Sequence, residues 1–238
     1  MVALSRLALP LLGAAASLLA VTATAQSSEL PSSQPKGNWG AQIAETDGGH
    51  VIGNPEAEAR LVEYMSYTCS HCAHFAQTGE GAIKLLYVPT GKVSYEVRHL
   101  IRDRVDLTAA LAVRCGAPDK FFANHEAMIF KFDDWMETAD KATPAQKARW
   151  NFGTFSSRAQ AIASDLGFYE IMERRGYSRA ELDRCITDYD EARSIVNRSN
   201  ADADRLGLRS TPTFLMGETR LDAHNWDTLQ PVLDSFFE

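Results

Sequence analysis

Arg60-Leu-Val-Glu-Tyr-Met-Ser-Tyr-Thr-Cys-Ser-His-Cys-Ala-His-Phe75 is the stretch on which the reading of the fold turns. Its first seven residues, Arg60 to Ser66, mix apolar and β-prone side chains and predict a buried strand. The residues after Cys72 predict a helix with Phe75, Gly79, Ile83 and Leu86 on one face. Val93 to Leu100 (VSYEVRHL) alternates and predicts a second strand. Strand, helix and strand in this order make a βαβ unit with a parallel pair. Cys69-x-x-Cys72 falls where the first strand gives way to the helix.

Outward from this unit the pattern changes twice. On the N-terminal side, Ala41 to Thr46, a turn at Asp47-Gly48-Gly49 and His50 to Ile52 read as a hairpin. From Asp103 to about Arg205 helix signals dominate. Ser157-x-x-Gln160 and Ser178-x-x-Glu181 read as capping boxes, and Thr143-Pro144 as a cap followed by proline at the first helical position. Apolar residues recur at helical spacing at Leu107, Leu111, Phe122, Met128, Ile129, Ile162, Leu182 and Ile186. Beyond Gly207 the β pattern returns in Pro212 to Met216, a turn at Gly217-Glu218, and Thr219 to Leu221. An amphipathic helix from Asn225 to Phe237 closes the chain. The expected organisation is an α/β domain in two parts, 39–102 and 206–238, separated by an all-helical insertion, 103–205.

The chemistry is expected at Cys69-Ser70-His71-Cys72. A cysteine at a helix N-terminus faces unpaired backbone N–H groups and the positive end of the dipole, which favour thiolate. The spacing places Cys72 one turn on, within reach of a disulfide, and His71 adds a donor beside the Cys69 sulfur. A CxxC beside a βαβ pattern is a redox signature. Haem attachment is excluded because residue 73 is Ala. A structural zinc site wants a second ligand pair, which neither Cys115 nor Cys185 supplies at suitable spacing. An inert disulfide, or copper or zinc held by Cys69, Cys72 and the nearby His71 and His74, remain the rival readings. Glu63 interrupts an apolar strand, where an inward carboxylate is costly unless it works or is paired. An outward-facing Glu63 is the alternative, since the strand register decides its face. His74 reads as a solvated helix residue and Trp39 as core.

Composition bounds the partners and the compartment. The 238 residues are 45% hydrophobic and 23% charged with a net charge of −7, an ordinary globular composition. No Lys/Arg cluster provides a footprint for nucleic acid or for an anionic membrane surface. Residues 1–25 have a basic start at Arg6, an apolar run from Leu7 to Ala20 and a small-x-small end at Ala23-Thr-Ala25. These are the marks of a signal peptide cleaved after Ala25. The apolar run is short for a membrane span. Residues 26–38, rich in Ser and Pro, read as a disordered leader. The expected setting is an exported, oxidising compartment where disulfides persist.

Glu63-Tyr-Met-Ser-Tyr-Thr-Cys69-Ser-His71-Cys72-Ala-His-Phe75, with Ser210-Thr211-Pro212-Thr213-Phe214 far downstream, resembles the bacterial periplasmic DsbA-like thiol–disulfide oxidoreductases. The resemblance runs in order from Trp39 to the closing helix. It implies an α/β thioredoxin-like fold with an all-helical insertion, a cis Pro212 facing the Cys69 sulfur, and a Thr211 backbone that pairs with an extended client segment. It implies that Glu63 relays a proton for Cys72, that no cofactor is needed, and that a quinone-linked membrane partner reoxidises the pair. Clients would be unfolded or folding exported proteins with free thiols. Cys115 and Cys185, both in predicted helices, are expected to form a second, structural disulfide, with a regulatory bond as the alternative. Closing a loop of roughly 70 residues would contribute about 4 kcal/mol on a chain-entropy estimate. The short leader before Trp39 leaves no room for a dimerisation domain, so a monomer is expected. Thr before Pro212 and the Ser-His dipeptide also suit a disulfide isomerase or reductase of the same fold. A non-enzymatic copper or zinc carrier is the rival from another class.

Overall fold

The computed structural model describes residues 37–236, and the expected signal peptide and most of the expected leader lie outside the described residues. Strands β1 (Ile43–Glu45) and β2 (Gly49–Ile52) form the N-terminal hairpin, and β3 (Ala59–Met65) follows. Helix α1 (Ser70–Phe75) starts at the CxxC and leads to β4 (Val93–His99). Helices α2 (Arg104–Val113), α3 (Phe121–Ile129), α4 (Phe132–Asp140), α5 (Pro144–Asn151), α6 (Phe155–Asp165), α7 (Phe168–Glu173), α8 (Arg179–Ile186) and α9 (Tyr189–Leu206) come next. The chain ends with β5 (Thr213–Met216), β6 (Thr219–Arg220) and α10 (Trp226–Asp234). The sheet order is β1-β2-β4-β3-β5-β6, with β3 and β4 parallel and the other pairs antiparallel.

Register decides which side chains reach the core. Leu61 pairs with Tyr95 and Glu63 with Val97, so Leu61, Glu63 and Met65 project to one face. Leu61 and Met65 join Phe75, Tyr95 and Phe214 in the main core. The opposite face, Val62, Tyr64 and Leu215, packs with Leu208 against Ala203 and Leu206 of α9. Asp202 of α9 accepts from the Tyr64 hydroxyl at 2.9 Å and from Arg98 at 3.1 Å, tying that helix to the sheet. In the helical layer α2 is buried nearly all round, with Ala109 to Val113 at most 2% exposed. A helix so placed needs apolar residues on every side.

Three local expectations are corrected. Leu86 is 58% exposed and Tyr87 takes its place in the core. The chain after α1 forms π-helical turns at Ala76–Glu80 and Ile83–Tyr87. Their wider turn carries the buried face forward by four residues at a time, from Phe75 through Gly79 and Ile83 to Tyr87. Gly79 is needed there, because a Cβ would lie 2.8 Å from the Phe75 ring and 2.9 Å from the Trp226 ring. Ser157 does not cap a helix. Thr154 three residues earlier accepts from the Ser157 amide and starts α6, so Ser157 lies in the first turn. The box at Ser178/Glu181 forms and Thr143 caps α5 ahead of Pro144, both as expected, and Gln146 completes a box at Thr143 that the sequence reading does not include. Cys115 lies just beyond α2 rather than within a helix, whereas Cys185 is in α8.

Candidate active site

Cys69 is the N-cap of α1, with extended backbone (φ −103°, ψ 113°). That conformation ends the strand-to-helix loop and aims the first free amides of the helix at the sulfur. Cys69 and Cys72 are both buried free thiols, 5% and 0% exposed. The peptide bond between Thr211 and Pro212 is cis, and the Cys69 thiol donates to the Thr211 carbonyl at 3.3 Å. Residues that are 142 apart in sequence thus meet at one sulfur.

The two cysteines sit in opposed environments. The Cys72 thiol, the Thr211 hydroxyl and the backbone amides of Cys72 and His71 donate toward Cys69. They outweigh its partial burial and bring its pKa down to about 5. The contribution of His71 comes from its backbone amide, and its imidazole is exposed at the rim of the cavity. Cys72 is pushed well above the usual thiol range by burial, by its bond with Cys69 and by the Glu63 charge. Cys69 opens on a cavity of about 330 Å³, also lined by His71, Arg102, Arg209 and Thr211. His74 is exposed, and Trp39 is half-buried against the core.

Glu63 faces inward, 1% exposed, and accepts from the Tyr95 hydroxyl. Burial and the neighbouring Glu80 charge raise its carboxyl well above the usual range, against the Tyr95 bond that lowers it. A carboxyl whose burial opposes its ionisation thus acts on the sulfur that is hardest to ionise.

Sequence reasoning missed the brace of the loop before Cys69. Asp106 accepts from the Ser66 hydroxyl (2.7 Å), the Tyr67 amide (2.7 Å) and the Arg102 amide (2.9 Å). Asp103 caps α2 and accepts from the Thr68 hydroxyl at 2.8 Å. Asp103-x-x-Asp106 ahead of an apolar helix was legible as a cap, but its reach to residues 66–68 depends on tertiary packing. Cys115 and Cys185 are joined in a disulfide, with Cα atoms 5.5 Å apart, linking the end of α2 to α8. Among the described residues no group of three or more His, Cys, Asp or Glu side chains is gathered as a metal set.

A thioredoxin family model matches residues 45–235. The chain belongs to the thioredoxin family. Within that family it is similar to a solved protein-disulfide isomerase of Novosphingobium aromaticivorans. The two are 38% identical with a TM-score of 0.78, over 82% of this chain and 100% of that one. Its fold is shared by Wolbachia pipientis alpha-DsbA1, at 20% identity and a TM-score of 0.64, over 84% of this chain and 96% of that one. A Rickettsia typhi protein named as a protein-disulfide oxidoreductase is 26% identical over 189 residues, 79% of this chain. The chain spans 62% of the length of that relative.

Proposed function

We propose that this chain is an exported thiol–disulfide oxidoreductase that donates the Cys69–Cys72 disulfide to cysteine pairs of folding client proteins. A client thiolate attacks Cys69 of the bridged pair, and Cys72 leaves with the bonding electrons and takes a proton from Glu63. A second client thiolate then attacks the client sulfur of the mixed disulfide, and Cys69 leaves as a thiolate. The client gains one disulfide, and the chain holds a Cys69 thiolate, a Cys72 thiol and an ionised Glu63 that regains its proton from water. The single observation that carries the reading is the asymmetry of the pair: Cys69 caps a helix start and meets Thr211 at the cis peptide bond, whereas Cys72 is fully buried. A stabilised Cys69 thiolate is a good leaving group and favours the dithiol, which makes the disulfide oxidising. The cavity beside Cys69 and the Thr211 backbone would receive an extended client segment. Export to the periplasm after cleavage behind Ala25, action as a monomer without cofactor and reoxidation by a quinone-linked membrane partner complete the proposal.

The test is the redox equilibrium of the chain against a glutathione series, with alkylation and mass mapping of the four cysteines. Cys69 and Cys72 reduced in buffers that leave Cys115–Cys185 bridged is the expected result. A Cys69–Cys72 bond that survives strongly reducing buffer would refute donation. The name of the Novosphingobium relative favours a second reading, isomerisation. Reactivation of a scrambled-disulfide client by the reduced chain, with no oxidant added, would support it.

A further inference from the structure

The cavity at Cys69 carries a charge that the chain as a whole does not share. The sequence holds 31 acidic residues against 24 Lys and Arg. Yet among the described residues the charged side chains that line this cavity are Arg102 and Arg209, with His71 beside them and no carboxylate. Both arginines are exposed, on backbone that is held in place. The Arg102 amide donates to Asp106 at 2.9 Å. Arg209 lies between Leu208, 2% exposed, and Ser210, whose carbonyl accepts from the Thr213 hydroxyl at 2.8 Å, next to the cis bond. Arg60, Arg98 and Arg114 are each paired with a glutamate. Among the described residues neither cavity arginine is: the Arg102 guanidinium reaches only the Thr68 carbonyl, at 3.4 Å, and Arg209 meets no carboxylate. Asp103, the neighbour of Arg102, lines a separate cavity and already accepts from the Thr68 hydroxyl and the Asp106 amide. A guanidinium presents a fork of N–H donors that matches a carboxylate, and a concave wall of one sign concentrates the opposite charge.

We infer that Arg102 and Arg209 are specificity-determining residues, which select client segments that carry acidic side chains next to the reacting cysteine. The inference rests on the oxidoreductase reading above and names the class of client. A carboxylate beside a cysteine opposes ionisation of that thiol, which slows its attack on any neutral disulfide. The two arginines offset that charge at the place where the client thiolate must meet Cys69, and they bind the carboxylate as it arrives. A cysteine flanked by lysines is repelled from the same wall. The exchange of bonds is unchanged: the client sulfur bonds to Cys69 and the Cys69–Cys72 bond breaks.

The experiment is the initial rate at which single-cysteine peptides of equal length reduce the Cys69–Cys72 disulfide of the full chain, read by alkylation and mass of quenched samples. The cysteine is flanked by Glu, Gln or Lys. Each rate is divided by that of the same peptide with hydroxyethyl disulfide, a small neutral disulfide, which removes the acidity of the peptide's own thiol. At low salt the normalised rate of the Glu peptide is expected to exceed that of the Lys peptide about tenfold. Arg209→Gln and Arg102→Gln are each expected to lower that ratio about threefold, the effect of one exposed charge pair. Roughly 0.5 M NaCl is expected to bring it close to one. A variant that merely disturbs the fold or the acidity of Cys69 slows all three peptides alike and leaves the ratio unmoved. If Arg102→Gln fails to fold, Arg209→Gln and the salt series decide. Equal normalised rates, or a Glu preference that both variants keep in full, overturn the inference. A Cys69–Cys72 bond that none of the peptides reduces overturns the oxidoreductase reading, and this inference with it.

Discussion

At the scale of single residues, the arrangement turns two chemically identical thiols into different groups. Cys69 meets donors at the start of a helix, whereas Cys72 meets an apolar interior and a carboxyl. The consequence for stability has a definite sign. The unfolded Cys69 thiol titrates near 9 and the folded one near 5, so its contribution is complete above pH 9 and is lost as pH falls through 5. At pH 7 the reduced chain should therefore exceed Cys69→Ser in unfolding free energy by ~3 kcal/mol. The gap should nearly close at pH 5. Paired denaturant titrations at the two pH values measure it, and equal gaps would refute the thiolate assignment. The position of Cys69 at a helix start was legible from Cys-x-x-Cys at the end of a β-prone run. Its contact with Thr211 was implied only by a resemblance, because nothing local links residues so far apart. The face of Glu63 stayed open until the pairing with Val97 fixed the register.

At the scale of elements, caps and turns carry the lesson. One of the two proposed capping boxes forms, at Ser178, and the other fails because Thr154 offers a hydroxyl three residues before Ser157. Thr154→Ala should destabilise the chain by ~1 kcal/mol, and Ser157→Ala by clearly less. Chemical denaturation of both variants checks this, and the reverse order would return the cap to Ser157. The segment after α1 shows a limit of periodicity. A 3.6-residue period found Phe75, Gly79 and Ile83 but chose Leu86, because the π-helical turns keep a four-residue step to Tyr87 where that period takes three.

At the scale of the whole molecule, the disulfide from the end of α2 to α8 spans 70 residues of the insertion. Replacing both Cys115 and Cys185 by Ala should cost ~4 kcal/mol on the chain-entropy estimate. A variant as stable as wild type under urea would show that the bond does not hold the fold. The core also carries a pH limit. His50, stacked on Phe121 at 3.9 Å, is brought down to about 3 by burial and by Arg114. His99 is lowered by burial and by Arg114, His50 and His125, and both its ring nitrogens lack a hydrogen-bond partner. Unfolded histidines accept protons below 6.5, while these two do not, so stability should fall as pH drops from 6.5 toward 3. Each group contributes ~1.4 kcal/mol per pH unit over its own window. His50→Phe should flatten that slope, and an unchanged slope in acid titrations would refute the assignment.

The sequence by itself determined the βαβ unit, the helical character of the middle of the chain, the closing hairpin and helix, and the place of Cys69 and Cys72 at a helix start. These rest on local information: apolar period, cap chemistry and the spacing of two thiols. Tertiary structure alone decided the face of Glu63, the approach of Thr211 to Cys69, the brace from Asp103 and Asp106, and the bond from Tyr95 to Glu63. Each of these joins residues distant along the chain, where register and packing, rather than local preference, place one polar atom against another.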